Sequence, residues 1–128
     1  MIKKSVIITG ASSGIGEELA RNYVTLGWNV GLIARRLDKI ETIKSELEHD
    51  SNVKILVSQC DVSNKDAIYN TIQSMIESFG QIDCIIANAG VSYSSPGTQP
   101  DSDIFEQTIN IINFFSRCTI NFHLIIIN

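Results

Sequence analysis

Proline is scarce in this chain, with two residues in 128, Pro96 and Pro100. Because proline breaks helices and central strands, everything before Pro96 is free to run as regular structure, and "SYSSPGTQPDSD" is the one marked loop. Cysteine is nearly as thin. Cys60, Cys84 and Cys118 are odd in number and far apart, without a CxxC pair. That argues against a disulfide framework and a zinc site, and fits small buried hydrophobes in a reducing cytoplasm. No basic surplus exists either: the net charge of −4 gives no bulk attraction for nucleic acid or an anionic membrane. Any anion must be held by a local arrangement. Long apolar runs are also missing. The first, Ser5 to Thr9 after Lys3 and Lys4, is too short for a signal-peptide core or a membrane span and reads as a strand. Charge itself fades near the end, where Arg117 is the only charged residue from Gln107 to Asn128.

What is present is a globular composition, 44% hydrophobic and 19% charged, of one domain's length. The apolar period alternates between strand and helix. After the Ser5–Thr9 strand, Ile15, Leu19, Tyr23 and Leu26 form a helical stripe closed by Gly27. Asn29 to Ala34 reads as strand two, and Leu37, Ile40, Ile43 and Leu47 mark the next helix. Asn52 to Gln59 reads as strand three. Ser63 with Asp66 looks like a cap opening a helix faced by Ile68, Ile72, Met75, Ile76 and Phe79, ended by Gly80. Ile82 to Gly90 supplies strand four, and a further helix is expected from about Asp101 or Ser102. This alternation with continuously apolar strands predicts an α/β fold, a doubly wound parallel sheet of order 3-2-1-4. The expected division is a dinucleotide-binding unit over 1–118, with 119–128 either a short fifth strand or a charge-poor tail.

Between strand one and its helix lies "TGASSGIG", Thr9 to Gly16. A helix starting near Gly14 aims unpaired N–H groups and the positive end of its dipole at the turn, which suits a pyrophosphate. Gly10 allows the turn, Gly14 lets a ligand approach the backbone, and Gly16 lets the helix pack closely. Ser12 and Ser13 add hydroxyl donors. A tight turn that binds nothing has the same glycines, so the loop alone does not decide. At the end of strand two stands Ala34-Arg35-Arg36, with no carboxylate to take a ribose 2′-hydroxyl. A guanidinium there suits a 2′-phosphate. Arg35 is the better candidate of the two arginines, which favours NADP over NAD.

The chain resembles the short-chain dehydrogenase/reductase family. The resemblance rests on "TGASSGIG", on "CDV" at Cys60 to Val62, on "NAG" at Asn88, Ala89 and Gly90, and on Asn110 in "TINII". It implies that Gly10, Ser12, Ser13, Ile15 and Gly16 surround the pyrophosphate and its ribose. Asp61 would accept from the adenine amino group and Val62 donate a backbone N–H, while Asn88 and Gly90 would line the nicotinamide-side ribose. Two alternatives stand beside these roles: Asp61 as a helix cap, and Asn88 as a tie between strands. Asn110 matches the helix asparagine of the family's catalytic tetrad.

The other tetrad members are missing. Family catalysis resembles general acid–base chemistry by a tyrosine with a lysine four residues on and a serine polarising the carbonyl. Tyr23, Tyr69 and Tyr93 are followed at that spacing by glycine, glutamine and glycine. The expectation is therefore the NADP(H)-binding part of an oxidoreductase that moves hydride between nicotinamide and a carbonyl or alcohol carbon, cut short by a frameshift or early stop. The alternative is a non-catalytic dinucleotide-binding protein. The resemblance also implies a small-molecule substrate and allows homo-oligomers, without a metal.

Overall fold

The computed structural model describes residues 3–12, 14–49, 52–61, 64–88 and 123–126. β1 (Ser5–Thr9) is buried along its whole length, because strands flank both its edges and helices cover both faces. Successive side chains of a strand point to opposite faces, and here each face has its own core. Val6 and Ile8 pack with Val30, Leu32 and Ile86 beneath α1 (Gly14–Thr25) and α2 (Leu37–Glu48). Ile7 packs with Ile33 and Ile85 beneath α3 (Lys65–Phe79).

β1 lies between β2 (Asn29–Ala34) and β4 (Cys84–Ala87), with β3 (Ile55–Gln59) outside β2 and β5 (His123–Ile126) outside β4. All four pairings are parallel, giving the order β3-β2-β1-β4-β5. This is the expected doubly wound arrangement. The charge-poor end supplies its fifth strand at 123–126, in register with β4 from Cys84 opposite His123 to Ala87 opposite Ile126. No helix among the described residues is long and apolar enough to cross a membrane.

The helices follow their stripes, with two corrections. On α3, Ile68, Ile72 and Met75 are buried, each stabilising the fold by roughly 1.5–3 kcal/mol. Gly80 ends that helix in the left-handed conformation, as its position suggested. The cap, however, is Asn64 rather than Ser63. The Asn64 side chain accepts from the backbone N–H of Ala67 at 3.1 Å, reaching the third helical residue as a cap must. On α1 the buried line runs through Gly16 and Ala20, with Leu19 and Tyr23 half-buried, while Ile15 and Leu26 are 57% and 69% exposed. Large side chains misled the reading there, since α1 approaches the sheet through its smallest residues. β3 and β4 are also shorter than expected, beginning at Ile55 and Cys84. Cys60 and Cys84 are buried thiols, and Cys118 lies outside the described residues.

Candidate nucleotide site

Parallel strands carry all their C-terminal ends to one edge of the sheet, and the sequence's candidate residues follow those ends. β1 delivers Gly10 and Ser12, β2 delivers Arg35 and Arg36, β3 delivers Asp61, and β4 delivers Asn88. Ser13, Val62, Ala89, Gly90 and Asn110 lie outside the described residues, as do Tyr93 and the helix expected after Asp101.

The glycine loop has the backbone that its sequence demands. Gly10 and Gly14 adopt positive φ, 65° and 62°, where a Cβ is strained. A Cβ built on Gly14 meets nothing within 4 Å among the described residues, which leaves space over the loop at the start of α1. Gly16 is the opposite case. A Cβ there would come within 2.4 Å of the Gly10 carbonyl oxygen and 2.7 Å of Asn88 Nδ2. Its close packing is therefore against the loop and the Asn88 side chain, a more specific contact than helix on sheet.

Asn88 also reaches the loop by hydrogen bonding, its Nδ2 donating to the Gly10 carbonyl at 3.2 Å. On the other side, the N–H of buried Ala11 donates to Ile33 of β2 at 3.2 Å. The loop is thus tied to both neighbouring strands before any ligand arrives. Ser12 is half-buried in the turn, and Ile15 stands exposed on the first turn of α1 beside it. Glu17, the acid of that first turn, is drawn into a pair with Arg21 at 2.9 Å, and Arg21 bridges onward to Glu46 of α2 at 2.6 Å. These bonds, the one to Glu46 first, raise the pKa of the guanidinium further above its usual value.

The two arginines separate clearly. Arg36 Nη2 lies 3.5 Å from Asp38 in the first turn of α2, whereas exposed Arg35 has no ion-pair partner among the described residues. Gln59, a residue the sequence reading passed over, donates from Nε2 to the Arg35 carbonyl at 3.0 Å. Just beyond β3, Asp61 is exposed, and its carbonyl accepts from Asn64 N–H at 2.9 Å. Chemically the edge offers the first N–H groups of α1, which have no acceptor within the helix, a glycine backbone, a guanidinium without an ion-pair partner among the described residues, and a carboxylate. Those are groups that can bind phosphates and an adenine amine.

Known proteins share the sequence pattern and the fold. A family model described as short chain dehydrogenase matches residues 4–122. A dehydrogenase/reductase SDR family protein 7-like of Dictyostelium discoideum is 40% identical over 126 aligned residues, covering 91% of this chain and 39% of the relative. The 11-beta-hydroxysteroid dehydrogenase-like 2 of Arabidopsis thaliana is 37% identical, covering 93% of this chain and 36% of that protein. The chain thus spans well under half the length of these relatives. Among solved structures, an alcohol dehydrogenase from Thermococcus sibiricus complexed with 5-hydroxy-NADP superposes with a TM-score of 0.78 at 28% identity, covering 96% of this chain and 57% of that one. The NADPH-dependent 3-quinuclidinone reductase of Rhodotorula rubra gives 0.72 at 27% identity, covering 91% and 47%. With the sheet order, the loop and the family match in agreement, the chain belongs to the short-chain dehydrogenase/reductase family.

Proposed function

We propose that this chain binds NADP(H) across the C-terminal edge of β1 to β4, as the cofactor-holding part of an oxidoreductase acting on a small carbonyl or alcohol. The observation that carries the reading is Arg35, an exposed guanidinium without an ion-pair partner among the described residues, one strand away from the glycine loop. The open space above Gly14 fits a bound pyrophosphate, because a side chain there would fill it. Of the two solved structures above, one is complexed with 5-hydroxy-NADP and the other is an NADPH-dependent reductase, which supports the same choice.

In this reading, the first N–H groups of α1 and the Ser12 and Ser13 hydroxyls hold the pyrophosphate, with Ile15 and Gly16 beside them. Arg35 pairs with the 2′-phosphate, and Arg36 adds charge from its place beside Asp38. Asp61 accepts from the adenine amine, Val62 donates to the ring, and Asn88, Ala89 and Gly90 border the nicotinamide-side ribose. When bound, the cofactor supplies a hydride at the nicotinamide C4. Asn110 is the one tetrad position present, and the tyrosine–lysine pair is absent from these 128 residues. Homo-oligomers and a cytoplasmic setting belong to the same reading.

Titration with NADPH and NADH tests it, read by nicotinamide fluorescence. Trp28 precedes β2, at the sheet edge opposite the loop, and stacks edge-on against Tyr23 at 4.9 Å, so it is not a direct reporter. NADPH should bind more tightly, and equal affinities would refute the assignment. A turnover assay on a panel of carbonyl compounds, run beside the titration, separates an active enzyme from a binding protein.

A further inference from the structure

The Arg35 side chain stands in water with no ion-pair partner among the described residues, so its position depends on the backbone beneath it. That backbone lies where the β2–β3 ladder runs out. Ala34 and Gln59 are the last paired residues, and the Cys60 N–H still donates to the Ala34 carbonyl at 3.0 Å. The next carbonyl, that of Arg35, lies just past the end of β2 and outside the ladder. It is taken by the Gln59 side chain, whose Nε2 lies 3.0 Å away. The amide thus ties the turn after β2 back to the last residue of β3. The turn has little else of this kind: Arg36, at the N-cap of α2, makes no side-chain capping bond. An arginine has four rotatable side-chain bonds, and each further freedom in its backbone adds to the entropy lost when it grips a ligand.

We propose that Gln59 is a positioning residue for cofactor choice, fixing the β2–α2 turn so that Arg35 meets a 2′-phosphate. The proposal rests on the NADP(H) reading above. It adds a residue that touches neither the phosphate nor the ribose and acts through one hydrogen bond to the Arg35 carbonyl. Because NADH has no 2′-phosphate, loss of Gln59 should weaken NADPH alone.

The test uses the full 128-residue chain as Gln59→Leu, Arg35→Ala and the double variant. Each is titrated with NADPH, NADH, 2′,5′-ADP and 5′-AMP, and each is melted by circular dichroism. Leucine keeps the bulk of glutamine without its donor, and residue 59 is exposed, so the melting midpoint should hold. Losing one solvent-exposed hydrogen bond should weaken NADPH and 2′,5′-ADP about threefold to tenfold. NADH and 5′-AMP should be unchanged, and the Gln59 effect should vanish in the Arg35→Ala background, as expected for two residues acting through one contact. Undiminished NADPH binding in Gln59→Leu, while Arg35→Ala loses the preference, overturns the Gln59 proposal alone. An equal loss for NADPH and NADH overturns it too, by making Gln59 a general structural residue. An unchanged preference in Arg35→Ala removes the Arg35 assignment, and the Gln59 proposal falls with it. If Gln59→Leu melts early, Gln59→Lys decides. It restores a donor to the Arg35 carbonyl, and failure to recover the NADPH preference counts against the proposal.

Discussion

Replacing Gly16 by alanine adds one methyl group where three heavy atoms already crowd the space. They are the Gly10 carbonyl oxygen at 2.4 Å, Asn88 Nδ2 at 2.7 Å and Ala11 Cα at 3.0 Å. Ordinary contact begins near 3.4 Å, so α1 and the loop must separate by about 1 Å. The Asn88 amide can rotate away, but only by giving up its bond to Gly10. The other two atoms are backbone, and Ala11 is held to β2. Overpacking of this kind costs about 1–3 kcal/mol. The better helix propensity of alanine offsets up to about 1 kcal/mol, and less than that in a first turn. A net loss of about 1–2 kcal/mol divided by a urea m-value of roughly 2 kcal/mol/M lowers the denaturation midpoint by about 0.5–1 M. Because the displaced loop carries the N–H groups proposed to bind the pyrophosphate, NADPH affinity should fall as well. A midpoint equal to or above the native one would show that the Gly10–Asn88–Gly16 packing is not as tight as described.

Three further outcomes follow from the same geometry. Arg35→Asp should abolish the preference for NADPH, since a charged hydrogen bond contributes about 1.5–3 kcal/mol, or roughly tenfold to over a hundredfold in affinity; parallel NADPH and NADH titrations check it. Gly14→Ala meets no atom within 4 Å among the described residues but sits at φ 62°, and Gly27→Ala is an equally open position at φ 85° remote from the loop. Each should lose about 1–2 kcal/mol to strain, yet only Gly14→Ala should weaken NADPH in calorimetry, and equal effects of both on binding would reduce the loop to a structural turn. Burial raises the pKa of the Cys60 and Cys84 thiols and the Tyr23 hydroxyl. For the thiols the resulting stabilisation is full below the unfolded pKa, about 8.5, and is lost as pH rises toward the folded values, whereas for Tyr23 the loss begins only above about 10. Urea midpoints should fall from pH 8 to 10, and Cys84→Ala should flatten that slope.

Legibility in the sequence tracked how local each determinant was. The β-branched run at Ser5–Thr9 and the stripe at Ile68, Ile72 and Met75 are decided by short-range pattern and burial, and both stand where the pattern put them. Helix α1 defeated the same rule. Its contact face is Gly16 and Ala20, residues with little hydrophobic weight, and the reason is the loop and Asn88 across from Gly16, seventy-two positions along the chain. The site divides likewise. Gly10, Gly14 and Arg35 could be named because φ and charge are properties of single residues. Gln59 could not, because its significance lies in the strand register that sets it beside Arg35. The signal available was thin: a polar residue ending a strand, directly before the "CDV" stretch.

The two edges of the sheet differ in a way that favours one of them as the binding site. At the N-terminal ends of the strands, polar groups close upon one another. The Asp83 carboxylate accepts from Ser5 N–H at 2.8 Å, while Asp83 N–H returns a bond to the Ser5 carbonyl at 2.9 Å. Lys4 lies over the Trp28 ring at 5.6 Å, and Trp28 packs against Tyr23. At the C-terminal ends the protein is tied together just as firmly, through Asn88 to Gly10, Ala11 to Ile33 and Gln59 to Arg35, but every one of those bonds uses a backbone carbonyl. The first N–H groups of a helix have no acceptor within it, and the Arg35 guanidinium has no carboxylate beside it among the described residues. Folding therefore uses backbone carbonyls of this edge as its internal acceptors, while the exposed Arg35 guanidinium and Asp61 carboxylate face solvent. Water solvates them at small cost, and a ligand that displaces the water finds them already in place.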